Sequence, residues 1–477
     1  MACVRLSAPR QPEQLTRLPG LFESLGYSEA DLRELLRIPD VWDLRPHKLG
    51  TYIWRCQRER SVRGFLTALF LLGRTIPRGG MERFVPPEVI DTLVETSVLG
   101  EIDGKLTANV DLYPCEGRLL ATDPYMTLEN EPGHVYKLGA DSYTLAHMTP
   151  RRPVGRTLNV CAGSGLHAVL ASSHSQEVVG LDINSRALEF CRLNAAMNGC
   201  WNCSFTLSDL YSKAPPGGYD LVLANPPFVP SPHPKEMAHR SPGVTGEEVS
   251  EQLVAELPKV LAPGGTFAMV LDYPIYNDAG YLERVWGWLG QTHGWGLGLV
   301  HLATVGVVPY IEQHIDYHNS WEKTQQNFDS YLSSYQSQGI VAMGFGVVFI
   351  RRFKRPNPGF KQLKLATTPV GPIGELVGNW LDGLEKAFDP NWSPDPSWKP
   401  QLSSLYSKVW RDRQGQGKLE PSEPGWVMPL PLDPKQTDFL WRVDGETSVA
   451  DLFRDWPGGE VEANIILRHL LGYEVLS

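Results

Sequence analysis

The chain has 477 residues, more than the roughly 100 to 200 of a typical domain, so two or three domains are expected. Its 42% hydrophobic and 21% charged residues are ordinary for a globular protein and exclude a disordered or membrane-embedded chain. The formal net charge of -10 disfavours broad affinity for nucleic acid.

The cysteine pattern and the N-terminal sequence bear on the compartment. Seven cysteines, an odd number, are scattered along the chain, which argues against a disulfide framework and favours a reducing cytoplasm. Cys200 and Cys203 form a CxxC pair, but no second ligand pair follows at zinc-site spacing, so no metal is expected. The first residues lack the apolar run of a signal peptide, and 65–72 is too short to cross a bilayer. The sequence predicts a cytoplasmic protein without a membrane partner.

Residues 1–134 are predicted to form a helical domain with a small β ribbon. Apolar residues recur at three- and four-residue spacing between 11 and 75, and Ser28 is a suitable N-cap for one of these helices. After Pro86 the pattern predicts one more helix and three short strands, separated by Asp-Gly and Glu-Gly turns. This order favours a winged-helix-like module. Since no basic stripe is evident on it, we expect it to pack or to cover the substrate rather than to bind nucleic acid.

Residues 135–355 change to short apolar runs alternating with helical segments. Strand and helix in alternation predict an α/β domain with a parallel sheet. The predicted strands read TLNVCA, EVVGLDI, FTLS, YDLVLAN, GTFAMVLD, GLGLVHLA and VAMGFGVVFI. Residues 356–477 open with Pro- and Gly-rich spacers. From Asp438 onward the pattern predicts a strand and two amphipathic helices, which is typical of a second small winged module.

The turn after the first of these strands predicts a nucleotide-type ligand. Gly163 and Gly165 remove side chains where the backbone must approach a ligand, and the following helix offers unpaired N–H groups. Because the segment from Gly163 to Ala168 also fits a dinucleotide fingerprint, the turn alone leaves nicotinamide binding open. Asp182 ends the next strand, where a carboxylate accepts hydrogen bonds from ribose hydroxyls in either kind of protein.

The segment Asn225-Pro226-Pro227-Phe228 is the most specific motif in the chain. It stands at the carboxyl end of an apolar strand, where open α/β sheets bind ligands. An amide or exocyclic amine nitrogen is a poor nucleophile because its lone pair is delocalised. Hydrogen bonds from its NH2 group to the Asn225 side-chain oxygen and the Pro226 carbonyl would orient the nitrogen and favour its pyramidal, reactive form. The prolines fix this corner, and Phe228 is placed to stack on the planar group.

On these motifs, residues 135–355 resemble a class I S-adenosylmethionine-dependent methyltransferase of the NPPF/NPPY type, similar to release-factor glutamine methyltransferases and small-domain ribosomal RNA guanine methyltransferases. The resemblance implies a Rossmann-like sheet of seven strands that ends in an antiparallel hairpin. It implies methyl transfer to a planar nitrogen, with Asn225, Pro226, Pro227 and Phe228 as the catalytic residues. It also implies S-adenosylmethionine as cofactor, bound by Tyr143, Asn159, Cys161, Ala162, Gly163, Ser164, Gly165, Asp182, Ile183, Asp209, Leu210 and Asn225.

Some positions carry a more specific expectation from the resemblance. Asp209 is implied to meet the adenine amino group, and Asp141 and Ser142 lie with Tyr143 in the segment that closes over the methionine end of the cofactor. The family usually has an acidic residue where this chain has Asn159, two positions before Cys161. Asn accepts a hydrogen bond but cannot pair as a charge with the cofactor ammonium, so weaker binding is expected unless another carboxylate compensates. The polar loop after the motif adds three candidate substrate contacts: His233, His239 and Arg240.

Three functions stay open from the sequence alone. The first is an N-methyltransferase acting on a protein, peptide or natural-product amide or on a nucleobase amine, and the acidic net charge favours the amides over nucleic acid. The second is a nicotinamide-dependent oxidoreductase, against which stands the lack of an evident catalytic Lys/Tyr or His pair. The third is a non-catalytic module that binds a cofactor or a peptide, and Asn159 is its only support. The oligomeric state is not predicted.

Overall fold

The computed structural model describes residues 4–7, 12–125, 133–233, 241–277, 280–290, 292–315, 320–355, 358–423 and 425–477. By its internal contacts the chain divides into two compact units. The first consists of Met1–Ala146, Arg152–Pro227 and Pro234–Pro242, and the second of His147–Arg151, Phe228–His233 and Gly243–Ser477. The N-terminal region and the first half of the predicted α/β domain therefore share one unit.

The described part of the N-terminal region is mainly helical up to residue 70, as the apolar periodicity predicts, and a short helix also forms in the predicted break after Pro77. Ser28 caps the third helix, because its hydroxyl accepts the Asp31 N–H while the Asp31 carboxylate accepts the Ser28 N–H. The helices are α1 Pro12–Thr16, α2 Leu18–Ser24, α3 Glu29–Leu36, α4 Leu49–Glu59, α5 Val62–Phe70, α6 Arg78–Met81 and α7 Pro87–Glu95.

Short antiparallel strands accompany these helices. The turns at Asp103-Gly104 and Glu116-Gly117 have positive φ at both residues, as tight hairpins require. The prediction of three strands after α7 is wrong, because Asn109 divides the second run by binding the carbonyls of earlier residues through its N–H and its side chain. One sheet has the order β1-β3-β2 and a hairpin pairs β4 with β5, the strands being β1 Ile76–Pro77, β2 Leu99–Ile102, β3 Lys105–Ala108, β4 Asp111–Cys115 and β5 Arg118–Thr122.

The first half of the α/β domain has parallel strands in the order β8-β7-β6-β9, with helices between them, which confirms the predicted Rossmann-like pattern. The elements are α8 Ala140–Met148, β6 Val154–Val160, α9 Leu166–Ala171, β7 Ser175–Asp182, α10 Ser185–Met197, β8 Cys203–Leu207 and β9 Tyr219–Ala224. The N-terminal region is fixed to this half through α10, since the Asn194 amide binds both the N–H and the carbonyl of Ala121, over 2.7 and 2.9 Å. Arg186 also pairs with the buried Asp123.

The second unit holds four further strands of the same eight-stranded sheet, in the order β10-β12-β11-β13. As the resemblance implies, β12 is antiparallel to both of its neighbours. Two expectations are corrected: β11 and β12 do not form a simple hairpin, because two helices intervene, and the sheet has eight strands rather than seven. The eighth, β13, follows the predicted boundary at 355, and its lysines had masked the apolar pattern. The elements are α11 Glu248–Glu256, β10 Leu261–Ile275, α12 Tyr281–Leu289, β11 Trp295–Gly306, α13 Val307–His314, α14 Trp321–Ser337, β12 Ala342–Arg352 and β13 Phe360–Leu365.

The C-terminal region combines helices with a small antiparallel sheet. The strand predicted from Asp438 is wrong: Asp433 and Gln436 form a capping box, and with Pro434 in the first turn they start a helix there. No described helix combines the length and the hydropathy that crossing a bilayer requires. The elements are α15 Gly374–Phe388, β14 Tyr406–Arg411, β15 Gly417–Pro421, β16 Leu430–Leu432, α16 Pro434–Trp441, α17 Val449–Arg454 and α18 Gly459–Gly472.

Candidate active site

Three neighbouring parallel strands bring the predicted site residues to one edge of the sheet. Val160 of β6 stands opposite Leu181 of β7 and Ala224 of β9. The next residues along the three strands are Cys161, Asp182 and Asn225. The glycine turn, the acidic strand end and the Asn-Pro-Pro corner therefore begin at the same level, at the carboxyl edge where such sheets bind ligands.

The glycine turn after β6 contains three residues in the left-handed region. The φ angles are 54° at Cys161, 54° at Gly163 and 82° at Gly165. A Cβ atom at Gly165 would lie 3.1 Å from the sulfur of Cys191 in α10, so glycine is needed there for the close approach of α10. At Gly163 a Cβ atom would meet no atom within 4 Å. The backbone at Gly163 is thus open to a ligand.

Asp182 closes this turn from the end of β7. Its Oδ2 accepts the Gly163 N–H over 2.8 Å, and its Oδ1 accepts the Asn184 N–H over 2.8 Å. A carboxylate has about four acceptor positions, so Asp182 can still accept from a hydroxyl group of a ligand. Burial raises the pKa of Asp182, and the backbone hydrogen bonds oppose that rise.

Asn159 is fully buried in β6. Its amide nitrogen donates to the Leu223 carbonyl of β9 over 3.3 Å, whereas its Oδ1 has no hydrogen-bond partner among the described residues. An unpaired buried acceptor costs roughly 1 to 3 kcal/mol, so a ligand group that donates to it would stabilise this strand end. The acidic residue of the family pattern is replaced by an acceptor that is still available.

The other predicted cofactor residues shape the ends of the strands. The Ala162 N–H donates to a carbonyl of β7 over 3.0 Å, and the Ser164 carbonyl accepts the Asn194 amide over 2.8 Å. Ile183 is 71% exposed directly after Asp182, which leaves an apolar surface for a planar base. After β8, Asp209 is exposed, and the Ser208 hydroxyl donates to the carbonyl of Leu210, where φ is 42°.

The amide of Asn225 is oriented by helix α8. Its nitrogen donates to the Asp141 carboxylate over 2.6 Å and to the Ser142 hydroxyl over 3.3 Å. Because a carboxylate only accepts hydrogen bonds, this contact identifies which end of the amide is the nitrogen. The amide oxygen is left to accept from a substrate, as the predicted role of the motif requires. Burial raises the pKa of Asp141, and the hydrogen bond from Asn225 opposes that rise.

Tyr143, a predicted cofactor residue on the same helix, contacts residues of the N-terminal region. Its ring is fully buried with its centroid 4.6 Å from that of Trp42, and its hydroxyl donates to the Pro114 carbonyl over 2.8 Å. These contacts belong to the N-terminal region. The predicted cofactor role of Tyr143 stays a prediction.

Phe228 opens a proline-rich segment that belongs to the second unit. The Tyr335 hydroxyl of α14 donates to the Pro230 carbonyl over 2.9 Å, and the Tyr331 hydroxyl lies 3.0 Å from that of the buried Ser231. His233 follows, with its Nε2 3.3 Å from the Ser330 hydroxyl, whereas His239 and Arg240 lie outside the described residues. The segment after the motif is thus held by one face of α14.

Little in the sequence indicates these supporting contacts. The resemblance placed Asp141 and Ser142 beside the cofactor, and the structure shows them bound to Asn225. For Tyr331 and Tyr335 the only available signal was their four-residue spacing, which puts both rings on one side of a helix. Such spacing is equally typical of ordinary core packing.

Comparison with known families supports the same segment. Residues 135–288 match the family model described as "Methyltransferase small domain". This range contains every predicted catalytic and cofactor-binding residue, and the match confirms the resemblance predicted from the motifs.

Curated relatives match the same part of the chain. A release factor glutamine methyltransferase of Koribacter versatilis is 28% identical over 29% of this chain and 54% of that protein. A tRNA1(Val) (adenine(37)-N6)-methyltransferase of Aeromonas hydrophila is 30% identical over 30% of this chain and 62% of that protein. A ribosomal protein uL3 glutamine methyltransferase of Bradyrhizobium diazoefficiens is 31% identical over 24% of this chain and 39% of that protein. The chain spans about half the length of these relatives, whose names include glutamine and adenine methylation.

Proposed function

We propose that the protein is an S-adenosylmethionine-dependent N-methyltransferase whose methyl acceptor is a planar nitrogen, in an amide or in an exocyclic amine. One observation carries this proposal: Asp141 holds the Asn225 amide by its nitrogen, so the oxygen is available to accept from an NH2 group. The glutamine and adenine N6 methyltransferases among the relatives support it, since both names describe such nitrogens.

The residues at the ends of β6, β7 and β8 fit the cofactor. Asp182 has lone pairs for the ribose hydroxyls, and the unpaired Oδ1 of Asn159 suits the ammonium group, which donates hydrogen bonds. Ile183 covers the adenine face, and Asp209 accepts from the adenine amino group. When bound, S-adenosylmethionine supplies an electrophilic methyl group on a sulfonium. The remaining residues assigned to it form the turns: Cys161, Ala162, Gly163, Ser164, Gly165 and Leu210.

The chain contributes positioning and dipoles at the corner that follows β9. Asn225 Oδ1 and the Pro226 carbonyl accept hydrogen bonds from the acceptor NH2 group, which orients the nitrogen lone pair and favours its pyramidal form. Pro227 keeps the corner rigid, and Phe228 stacks on the planar group. No strong base is needed, because the nitrogen releases its proton after it has become cationic.

We also propose a division of labour along the chain. Residues 135–355 carry the chemistry, while the flanking regions 1–134 and 356–477 select the acceptor. The reducing cytoplasm inferred from the cysteines remains part of this proposal.

The test combines cofactor binding with methyl transfer. Calorimetric titration should show binding of S-adenosylhomocysteine and none of NAD. Tritiated S-adenosylmethionine should then label an acceptor in fractionated cell protein or RNA, and mass spectrometry should place the methyl group on an amide or amine nitrogen.

The decisive variant is Asn225→Ala, with Asn225→Asp as its conservative companion. Loss of one preorganised acceptor should lower the transfer rate about 100-fold or more, with the affinity for S-adenosylhomocysteine nearly unchanged. Wild-type rates in Asn225→Ala would sink the mechanism. Preferential binding of NAD, or a methyl group found on oxygen or carbon, would sink the proposed function itself.

A further inference from the structure

Charge is distributed unevenly along the chain. Residues 33–83 contain ten arginines and one lysine against five carboxylates, although the whole chain has a formal net charge of -10. The expectation that the N-terminal region carries no basic stripe therefore does not hold for this segment. A positive surface here would be a local feature set against a repulsive overall charge.

The five carboxylates of residues 33–83 neutralise only some of the positive charges in this segment. They bind four arginines, in the pairs Glu34 and Glu59 with Arg63, Asp40 with Arg33, Asp43 with Arg45, and Glu82 with Arg78. Among the described residues the other seven cations, which include Arg74 and Arg83, have no carboxylate partner. The remaining five of the seven are Arg37, Lys48, Arg55, Arg58 and Arg60. All five lie on or beside helix α4.

Helix α4 presents Arg55 and Arg58 on one side. At about 100° per residue, positions 51, 54, 55 and 58 fall within an arc of about 100°, and the opposite side buries Tyr52 and Cys56. His47 and Lys48 are exposed in the 3-10 turn that leads into the helix. The α4 face is defined as His47, Lys48, Thr51, Trp54, Arg55 and Arg58. It contains no carboxylate.

An exposed aromatic ring lies among the cations of the α4 face. Trp54 is 54% exposed, and the Arg58 guanidinium lies 5.3 Å from the centroid of its ring. Arg55 donates to the Leu36 carbonyl at the end of α3, which brings the exposed Arg37 beside the α4 face. A purely solvated helix surface needs charges but no tryptophan, whereas a surface that binds bases beside phosphates uses both.

We propose that the α4 face binds single-stranded nucleic acid, with Lys48, Arg55 and Arg58 on phosphates and Trp54 stacked on a base. This inference goes beyond the proposed methyl transfer, because binding is measured without cofactor or turnover. Helix α4 and the Asn225 corner belong to the same compact unit.

The experiment measures fluorescence anisotropy of the full-length protein with a labelled oligouridine of about 20 nucleotides, longer than common site sizes. Lys48→Gln combined with Arg58→Gln should weaken binding at least tenfold. It should also lower the slope of log affinity against log salt by about 1.4, since each phosphate contact contributes about 0.7 on single strands. Trp54→Ala should weaken binding about tenfold and leave that slope unchanged, because stacking releases no counterions.

The matched control is Lys354→Gln combined with Arg355→Gln, which removes the same charge from a basic run in the second unit and should bind as wild type does. Binding is measured without S-adenosylmethionine, so that a failed methyl-transfer proposal is recognised separately. Thermal unfolding checks that every variant is folded. Absence of binding at low salt, equal loss in the control variant, or tighter binding of duplex DNA, polyglutamate or phosphatidylserine vesicles would overturn the proposal.

Discussion

The two stretches of chain that the proposed function assigns to the cofactor and to the acceptor are held by contacts of very different range. In the first unit, the Asp182 carboxylate binds the Gly163 N–H 19 residues away and the Asn184 N–H two residues away. In the second, Pro230 and Ser231 are held by Tyr335 and Tyr331, 105 and 100 residues further along the chain. In the proposed function, the cofactor side is thus held by backbone groups close by in the sequence. The proposed acceptor side is held by side chains of α14, which lies far along the chain.

Asp182→Ala should give the largest effect, which is a loss of cofactor affinity. The variant loses the two charge-assisted hydrogen bonds proposed between the carboxylate and the ribose hydroxyls. Binding of S-adenosylhomocysteine should therefore become about 100-fold weaker or more in calorimetry. Glu177→Ala is a suitable control, because that residue is on the same strand and pairs with Arg156 at the surface. A small change in affinity for Asp182→Ala would break the assignment of this strand end to the ribose.

Asp141→Asn tests the link between the two sides. An asparagine at 141 both donates and accepts, so the Asn225 amide would no longer have one preferred orientation. We expect the rate constant for methyl transfer to fall about 10- to 100-fold while cofactor affinity changes little. Ser142→Ala, which removes the longer of the two contacts, should have a smaller effect. Equal effects from both variants would contradict the orienting role of the carboxylate.

Tyr335→Phe should act on the acceptor side alone. Removing one hydrogen bond of about 1 kcal/mol to the Pro230 carbonyl should raise the KM for the acceptor about fivefold, with cofactor affinity unchanged. Ser337→Ala, at an exposed position of the same helix, is the control. A change in cofactor affinity with an unchanged KM for the acceptor would contradict the assignment of Tyr335 to acceptor binding.

Lowering the pH should produce the smallest effect, which is a decline in cofactor affinity. Burial raises the pKa of Asp182, and the ionised carboxylate is the better acceptor for ribose hydroxyls. Cofactor affinity should therefore decline as the pH falls through this raised pKa, at higher pH than for an ordinary aspartate of about 3.9. Titration of S-adenosylhomocysteine over a pH series measures this decline. Asp182→Asn should flatten the profile, and an unchanged profile in that variant would point to another group.

The difference in sequence separation between these contacts also explains which features could be predicted from the sequence. The strands β6 to β12, the glycine turn and the Asn225 corner follow from apolar runs and short motifs. Strand β13 was missed because Lys361 and Lys364 interrupt its apolar pattern. The roles of Asp141 and Tyr335 were also missed, because each is defined by a contact with a residue 84 or 105 positions away. No single sequence reports such a pairing.

Strand β13 has a consequence for solubility. It covers β11, whose first six residues, from Trp295 to Val300, are all buried. A fragment that stops at residue 355, where the family resemblance stops, would leave the N–H and carbonyl groups of an apolar strand unpaired. Exposed edges of this kind join to one another, whereas the exposed Lys361 on β13 discourages such association. We therefore expect the C-terminal extension to protect the catalytic sheet from aggregation.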